Sequence, residues 1–182
     1  FILIDKPETR TFAADILADW YPGSSVTFIS SYTRGAALSA LAGMATGKNI
    51  DQPIIVDLAD ILYASTLDPA SVFRINTNCG GIALTFKSTN PAYSYLRLDN
   101  AGCFETAVEK QVISNSASAG TYIFRDVATY IRALAHNLEN RESQTFNDLF
   151  FVCPVLNGVK DQGKSVILEP VTEVIDIKLD IT

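Results

Sequence analysis

The sequence predicts an α/β domain built on a mixed sheet, and three observations carry that prediction. Helical and strand patterns alternate along the first part of the 182-residue chain. Residues 53–57, PIIVD, form a continuous apolar run of the kind buried in a parallel sheet. Residues 79–125 then carry several strand patterns in succession, broken at Asn90-Pro91 and at Asp99-Asn100-Ala101-Gly102, which marks hairpin pairing.

The chain opens on an apolar strand, Phe1-Ile2-Leu3-Ile4. Natural chains rarely begin inside a core strand, so the sequence reads as one whose earlier part is missing. Residues 8–20 follow as an amphipathic helix, with Phe12, Ile16, Leu17 and Trp20 at helical spacing and Tyr21-Pro22-Gly23-Ser24 as its stop. Residues 25–30 form a second strand. Residues 33–45 read as a glycine turn at Gly35 entering an Ala-rich helix. Outward-facing backbone N–H groups at such a junction can hold an anion or the edge of a base. The same glycine equally relieves crowding where a loop enters a helix.

The strand at 53–57 delivers Leu58-Ala59-Asp60 to its carboxyl end, where open α/β sheets bind ligands. Carboxylates at Asp60 or Asp57 suit Mg²⁺, which prefers oxygen and takes one or two protein ligands beside phosphates. Either side chain can instead satisfy loop backbone groups. Asp68 caps a short helix over residues 69–75, and Gly80-Gly81 leads into a buried strand at 81–86. Residues 92–98 and 103–113 form a hairpin, and residues 119–124 another strand. On the second hairpin arm Phe104, Thr106, Val108 and Lys110 share one face, while Glu105, Ala107 and Glu109 share the other. Glu109 and Lys110 therefore serve one ligand only if a bulge or a sheet edge intervenes.

Asp126 caps a helix reaching about Asn137, with Ala128, Ile131, Leu134, Ala135 and Leu138 on its apolar side and His136 on the solvated side. Residues 146–157 form a loop entering a helix, and strands at 164–168 and 172–179 close the chain.

Composition narrows the function. A 48% hydrophobic chain without a composition break is long enough for a single well-buried domain spanning residues 1–182. A net charge of −6 without a Lys/Arg cluster argues against nucleic-acid and anionic-membrane partners. No apolar run approaches the roughly 20 residues of a membrane span, and the expected location is cytoplasmic. Three widely spaced cysteines and one histidine support neither a disulfide framework nor a zinc site. Cys79, Cys103 and Cys153 read as buried, inert thiols.

Three blocks in order, P-A-Y-S-Y-L-R-L-D-N-A-G, V-E-K-Q-V-I-S-N and A-S-A-G-T-Y-I-F, resemble the central region of sugar-1-phosphate nucleotidyltransferases, within the nucleotide-diphospho-sugar transferase superfamily. The resemblance is to the branch associated with capsule and lipopolysaccharide synthesis. It implies a three-layer α/β/α Rossmann-like fold with a mixed sheet, N-terminally truncated here, and a fragment that is expected to be inactive unless assayed full length. The family opens with a strand and a Gly-x-Gly-x-Arg loop followed by Lys-Pro, and Lys6-Pro7 has no glycine loop ahead of it. The downstream Gly-Thr-Pro-Glu-Asp turn is also absent.

The resemblance implies a nucleoside triphosphate and a sugar 1-phosphate as substrates and Mg²⁺ as cofactor. By the same resemblance Asp60 holds the metal, with Asp57 as the other candidate. Glu109 accepts sugar hydroxyls, Lys110 faces a phosphate, and Gly35 and Ala36 approach the base. Ser94 and Gly120, which lie in the matching blocks, and Gly81, at the start of the strand-rich stretch 79–125, complete the substrate-binding set. No second metal carboxylate carries over, since Asp148 comes early and Asn157 occupies the later position. Two other classes stay open: a glycosyltransferase consuming a sugar nucleotide, and a non-catalytic module binding a sugar nucleotide or a partner. Asp57-Leu58-Ala59-Asp60 is one residue longer than the Asp-x-Asp element of the former. Loss of central strands would expose sheet edge, so self-association into a homo-oligomer is expected.

Overall fold

The computed structural model describes residues 1–30, 33–47 and 49–180. A parallel two-stranded unit, β1 (Ile2–Ile4) and β2 (Thr27–Ile29), flanks a helix that begins as α1 (Pro7–Phe12). That helix widens into a π-helical turn over Ala13–Leu17 and ends as α2 (Ala18–Trp20). Only Ala13 and Leu17 of it are buried, while Phe12 and Trp20 are exposed. The apolar face expected at 3.6-residue spacing is thus re-aimed, as a widened turn would do.

Gly35 starts α3 (Ala36–Met44), and then come β3 (Ile54–Asp57), β4 (Ile61–Ala64) and α4 (Pro69–Ile75). Asp68 caps α4 by accepting from the Ala70 N–H at 3.1 Å, a contact worth about 1 kcal/mol. Next in the chain are β5 (Cys79–Lys87), β6 (Tyr95–Leu98), β7 (Phe104–Val108) and β8 (Ser116–Phe124). The helices α5 (Val127–Glu139), α6 (Arg141–Gln144) and α7 (Val152–Asp161) follow. The chain then forms β9 (Ser165–Pro170), β10 (Thr172–Asp176) and α8 (Ile177–Asp180).

The main sheet has the order β7-β6-β8-β5-β9, with β3 also paired to β8. Only the β5–β9 pair in it is parallel, so the sheet is mixed as expected. Alternation along its central strands builds the layers. Ala83, Tyr122, Phe124 and Val166 face α3, α5 and α7, whereas Ile82, Leu84, Ile123 and Ile167 face α4 and the β4–β10 ribbon.

Five expectations need correction. β3 is antiparallel to β8 and leaves Ile55 exposed, so its apolar run marks a half-covered strand rather than a parallel core strand. The buried face of α5 is Thr129, Tyr130, Ala133, Leu134 and Asn137, while Ile131 and Leu138 are exposed. His136 is partly covered, with Nδ1 3.1 Å from the Asp161 carboxylate. The last strand stops at Asp176, and 177–180 is a helical turn. Residues 181 and 182, in the tail compared with the absent family turn, lie outside the described residues. Cys103 is exposed, whereas Cys79 and Cys153 are buried.

Close approach of α5 and α7 sets how tightly that layer packs. A Cβ on Gly158 would overlap the Ala133 carbonyl, and backbone cannot retreat as a flexible side chain would. Replacing Gly158 by Ala is expected to lower unfolding free energy by about 2–3 kcal/mol, read from urea denaturation midpoints at unchanged slope.

Candidate functional site

One edge of β8 is shared by two partners. Thr121–Phe124 pair with β3, and Ser116 and Ala117 pair with β6. Opposite them, the β5 register jumps from Ala83↔Tyr122 to Thr85↔Ser118, so β8 carries two extra residues there. Gly120 lies in this bulge with φ +79°, a left-handed conformation that side chains disfavour. Its N–H donates to Ser118 Oγ at 3.1 Å, which satisfies a group the sheet leaves unpaired. The gap between β3 and β6 is bridged at its two ends. The Leu58 N–H donates to the Gly120 carbonyl at 3.1 Å, and the Ser118 N–H to the Ser94 carbonyl at 2.9 Å.

A cavity of about 310 Å³ opens at this gap. Asp60, Ser94, Glu109, Lys110 and Gly120, five residues singled out from the sequence, all line it. So do Tyr122, Phe151, Cys153, Asp176 and Lys178, which sequence reasoning did not select. A Cβ on Gly120 would sit 3.3 Å from Asp60 Oδ1, so the glycine leaves room for that carboxylate.

Glu109 and Lys110 reach the same cavity because β7 ends at Val108. Lys110 has φ +51°, outside any regular strand, which breaks the alternation that would send the two side chains apart. Ser94 Oγ donates to Glu109 Oε2. Burial raises the Glu109 carboxyl above its ordinary value, with the Ser94 hydrogen bond and the Lys110 charge acting against that and Asp60 adding to it. Lys110 Nζ lies 5.6 Å from the Phe146 ring centre and 5.9 Å from that of Phe151, within cation–π range. Burial also pushes the Cys153 thiol far up, so it serves as a neutral floor.

The last turn of the chain completes the rim. β10 pairs with β4 so that Asp176 stands opposite Ile61, next to Asp60 in sequence. The Ile177 N–H donates to the Asp60 carbonyl at 3.1 Å. Lys178 Nζ donates to Asp60 Oδ2 at 2.7 Å. The signal that would have found Asp176 is an acid ending an apolar run, Val174-Ile175-Asp176, just as Asp57 ends Ile54-Ile55-Val56. A strand drawn through to residue 179 concealed it.

Four other candidates stand apart from the cavity lining. Asp57 Oδ1 accepts from the Ala59 N–H at 2.6 Å, and Oδ2 accepts from Thr121 Oγ1 at 2.7 Å, so that carboxylate holds the loop bearing Asp60. Gly35, at φ +118°, packs where a Cβ would overlap the Phe150 backbone, and Ala36 opens α3 beside it. Gly81 is buried, with space for a Cβ blocked by Leu156 Cδ2 at 2.9 Å. Asn157 clamps the outer side of β7: its Oδ1 accepts from the Ala107 N–H and its Nδ2 donates to the Ala107 carbonyl, both at 2.8 Å.

The donor set fits a hard divalent cation. Asp60 and Asp176 place carboxylate oxygens, the donor type such a cation takes, on one rim, and an ammonium sits against Asp60. Among the described residues no group of three or more His, Cys, Asp or Glu could hold a metal. A larger cleft of about 430 Å³ lies elsewhere, by Asn78, Cys103, Lys160 and Lys164. It has no lining carboxylate and is chemically poorer.

No family model and no curated protein matches the sequence. Solved structures do match. The chain is similar to the nucleoside-diphosphate-sugar pyrophosphorylase from Vibrio cholerae RC9, with a TM-score of 0.79 at 19% identity, covering 97% of this chain and 74% of that one. It is also similar to a Bacillus anthracis chain described as a glucose-1-phosphate thymidylyltransferase, solved with sucrose (TM-score 0.69, 16% identity, 99% and 71% covered). An apo UDP-glucose pyrophosphorylase gives a TM-score of 0.61 at 16% identity, with 96% and 74% covered. Among the described residues no helix is long and apolar enough to cross a membrane. The chain has the mixed-sheet α/β fold of these sugar-nucleotide enzymes.

A raised native carboxyl binds its proton more tightly in the folded than in the unfolded chain. The stability it contributes is full below the ordinary carboxyl range and is lost as pH rises through the native value. The difference in unfolding free energy between wild type and Glu109→Gln is therefore expected to shift against the wild type as pH rises above about 4.5. Urea titrations of both proteins at pH 4 and pH 7 check this, and a pH-independent difference contradicts it.

Proposed function

We propose that this protein is a sugar-1-phosphate nucleotidyltransferase acting in surface-polysaccharide precursor synthesis. The observation that carries the proposal is one cavity, in a fold shared with pyrophosphorylases, whose rim holds Asp60, Glu109, Lys110 and Asp176. The surface-polysaccharide assignment rests on the sequence blocks described above.

The reaction joins a phosphate oxygen of the sugar 1-phosphate to the α-phosphorus of a nucleoside triphosphate, and the bond between α- and β-phosphates breaks to release pyrophosphate. Such transfers rest on positioning and charge neutralisation rather than a protein nucleophile. Glu109, held by Ser94, accepts hydroxyl hydrogens of the sugar. Lys110, steadied by two aromatic rings, places its charge against the sugar phosphate. The bulge at Gly120 lets substrate atoms approach backbone in the β3–β6 gap. Asp60 and Asp176 would hold Mg²⁺, which supplies charge neutralisation at the reacting phosphates.

Incubation of the full-length protein with a panel of sugar 1-phosphates and the four common nucleoside triphosphates, with Mg²⁺, is expected to release pyrophosphate only when both substrates are present. Asp60→Asn and Asp176→Asn should each lower kcat/KM by about a hundredfold or more. Consumption of a preformed sugar nucleotide instead would identify a glycosyltransferase. Sugar-nucleotide binding without either reaction would identify a binding module.

A further inference from the structure

The carboxylate proposed to bind metal already carries a cation from its own chain. Lys178 Nζ is 2.7 Å from Asp60 Oδ2. The contact follows from the fold: the Ile177 N–H is tied to the Asp60 carbonyl at 3.1 Å, and the Lys178 N–H donates to Asp176 Oδ1 at 2.8 Å. The turn after β10 is thereby anchored to both acids, and its four-carbon stem delivers one ammonium to Asp60.

An ammonium hydrogen-bonded to Oδ2 and a Mg²⁺ coordinated to the same oxygen at about 2.1 Å compete for one space, and their charges repel. The lysine can leave. Its side chain is 73% exposed and that of Asp60 34% exposed, so water screens the pair and it is weak. The turn is held by main-chain N–H donors, Ile177 to the Asp60 carbonyl and Lys178 to the Asp176 carboxylate, and neither bond involves the Lys178 side chain.

We propose that Lys178 is a tethered counter-cation that competes with the divalent metal for Asp60, so that it weakens metal affinity and swings free when metal binds. This inference rests on the reading of Asp60 and Asp176 as metal ligands.

Mn²⁺ binding to wild type, Lys178→Met and Asp176→Asn, followed by electron paramagnetic resonance of the free ion, tests both levels. The lysine is solvent-exposed, so its replacement leaves the core untouched. Lys178→Met is expected to bind Mn²⁺ about two- to fivefold more tightly than wild type, and Asp176→Asn far more weakly. In the wild-type protein, acylation of Lys178 by a soluble active ester, read by peptide mass spectrometry, should become several-fold faster at saturating Mg²⁺. Equal or weaker Mn²⁺ binding by Lys178→Met, or an acylation rate indifferent to Mg²⁺, overturns the inference and leaves the metal reading intact. Failure of both wild type and Lys178→Met to bind Mn²⁺ overturns the metal reading and the inference with it.

Discussion

The arrangement of the site depends on β8 serving two strands along one edge. A regular strand paired to a single long partner would leave no gap. Here β3 takes the end of β8 and β6 takes its start, and the two extra residues around Gly120 separate them. The cost is a left-handed residue and an unpaired N–H, offset by glycine and by Ser118 Oγ. Each candidate residue then comes from a strand end beside that gap. Asp60 follows β3, Ser94 precedes β6, Glu109 and Lys110 follow β7, and Asp176 ends β10. Loop positions set by rigid strands are where sheet proteins gather their chemistry.

Shells around these residues are conventional in their physics. Asp57 does not face the cavity, yet it fixes the Asp60 loop through Ala59 and joins it to β8 through Thr121. Asn157 does the same for β7, replacing a strand partner with a side-chain amide two residues before Glu109. Such groups hold geometry, and a small displacement of them would be felt at the site.

Much of the fold was legible because its signals are local. The Asp68 and Asp126 caps, the turn at residues 99–102 and the alternation of 81–86 and 119–124 depend on neighbours in sequence, and the structure keeps them. What failed depends on distant partners. The run at 53–57 is equally apolar whether covered on both faces or one, and only its place beside β8 decides. The face of α5 shifted in part because Ala133 sits where Gly158 brings α7 close, a place where small size counts for more than hydrophobicity. In the site, Asp60 stood out as a charge at a strand end, and Glu109 and Lys110 as a charged pair within an arm drawn to residue 113, whereas the strand stops at Val108. Asp176 and Lys178 did not, because a pattern of Val, Ile and Leu masks the point at which β10 stops. Gly35 and Gly81 stand apart from the cavity lining: a Cβ on Gly35 would overlap the Phe150 backbone, the crowding the sequence also allowed, and one on Gly81 would press on the end of the Leu156 side chain.

A reaction centre in the β3–β6 gap, with a divalent ion on its rim of acids, is what the proposed function requires. Titrating Mn²⁺ into ¹⁵N-labelled protein and recording amide line broadening tests that placement most directly. Broadening is expected to begin at residues 58–61, 120 and 176–178 and to leave the amides around Lys160 and Lys164 sharp. Broadening centred elsewhere, or spread evenly over acidic surface residues, would contradict it.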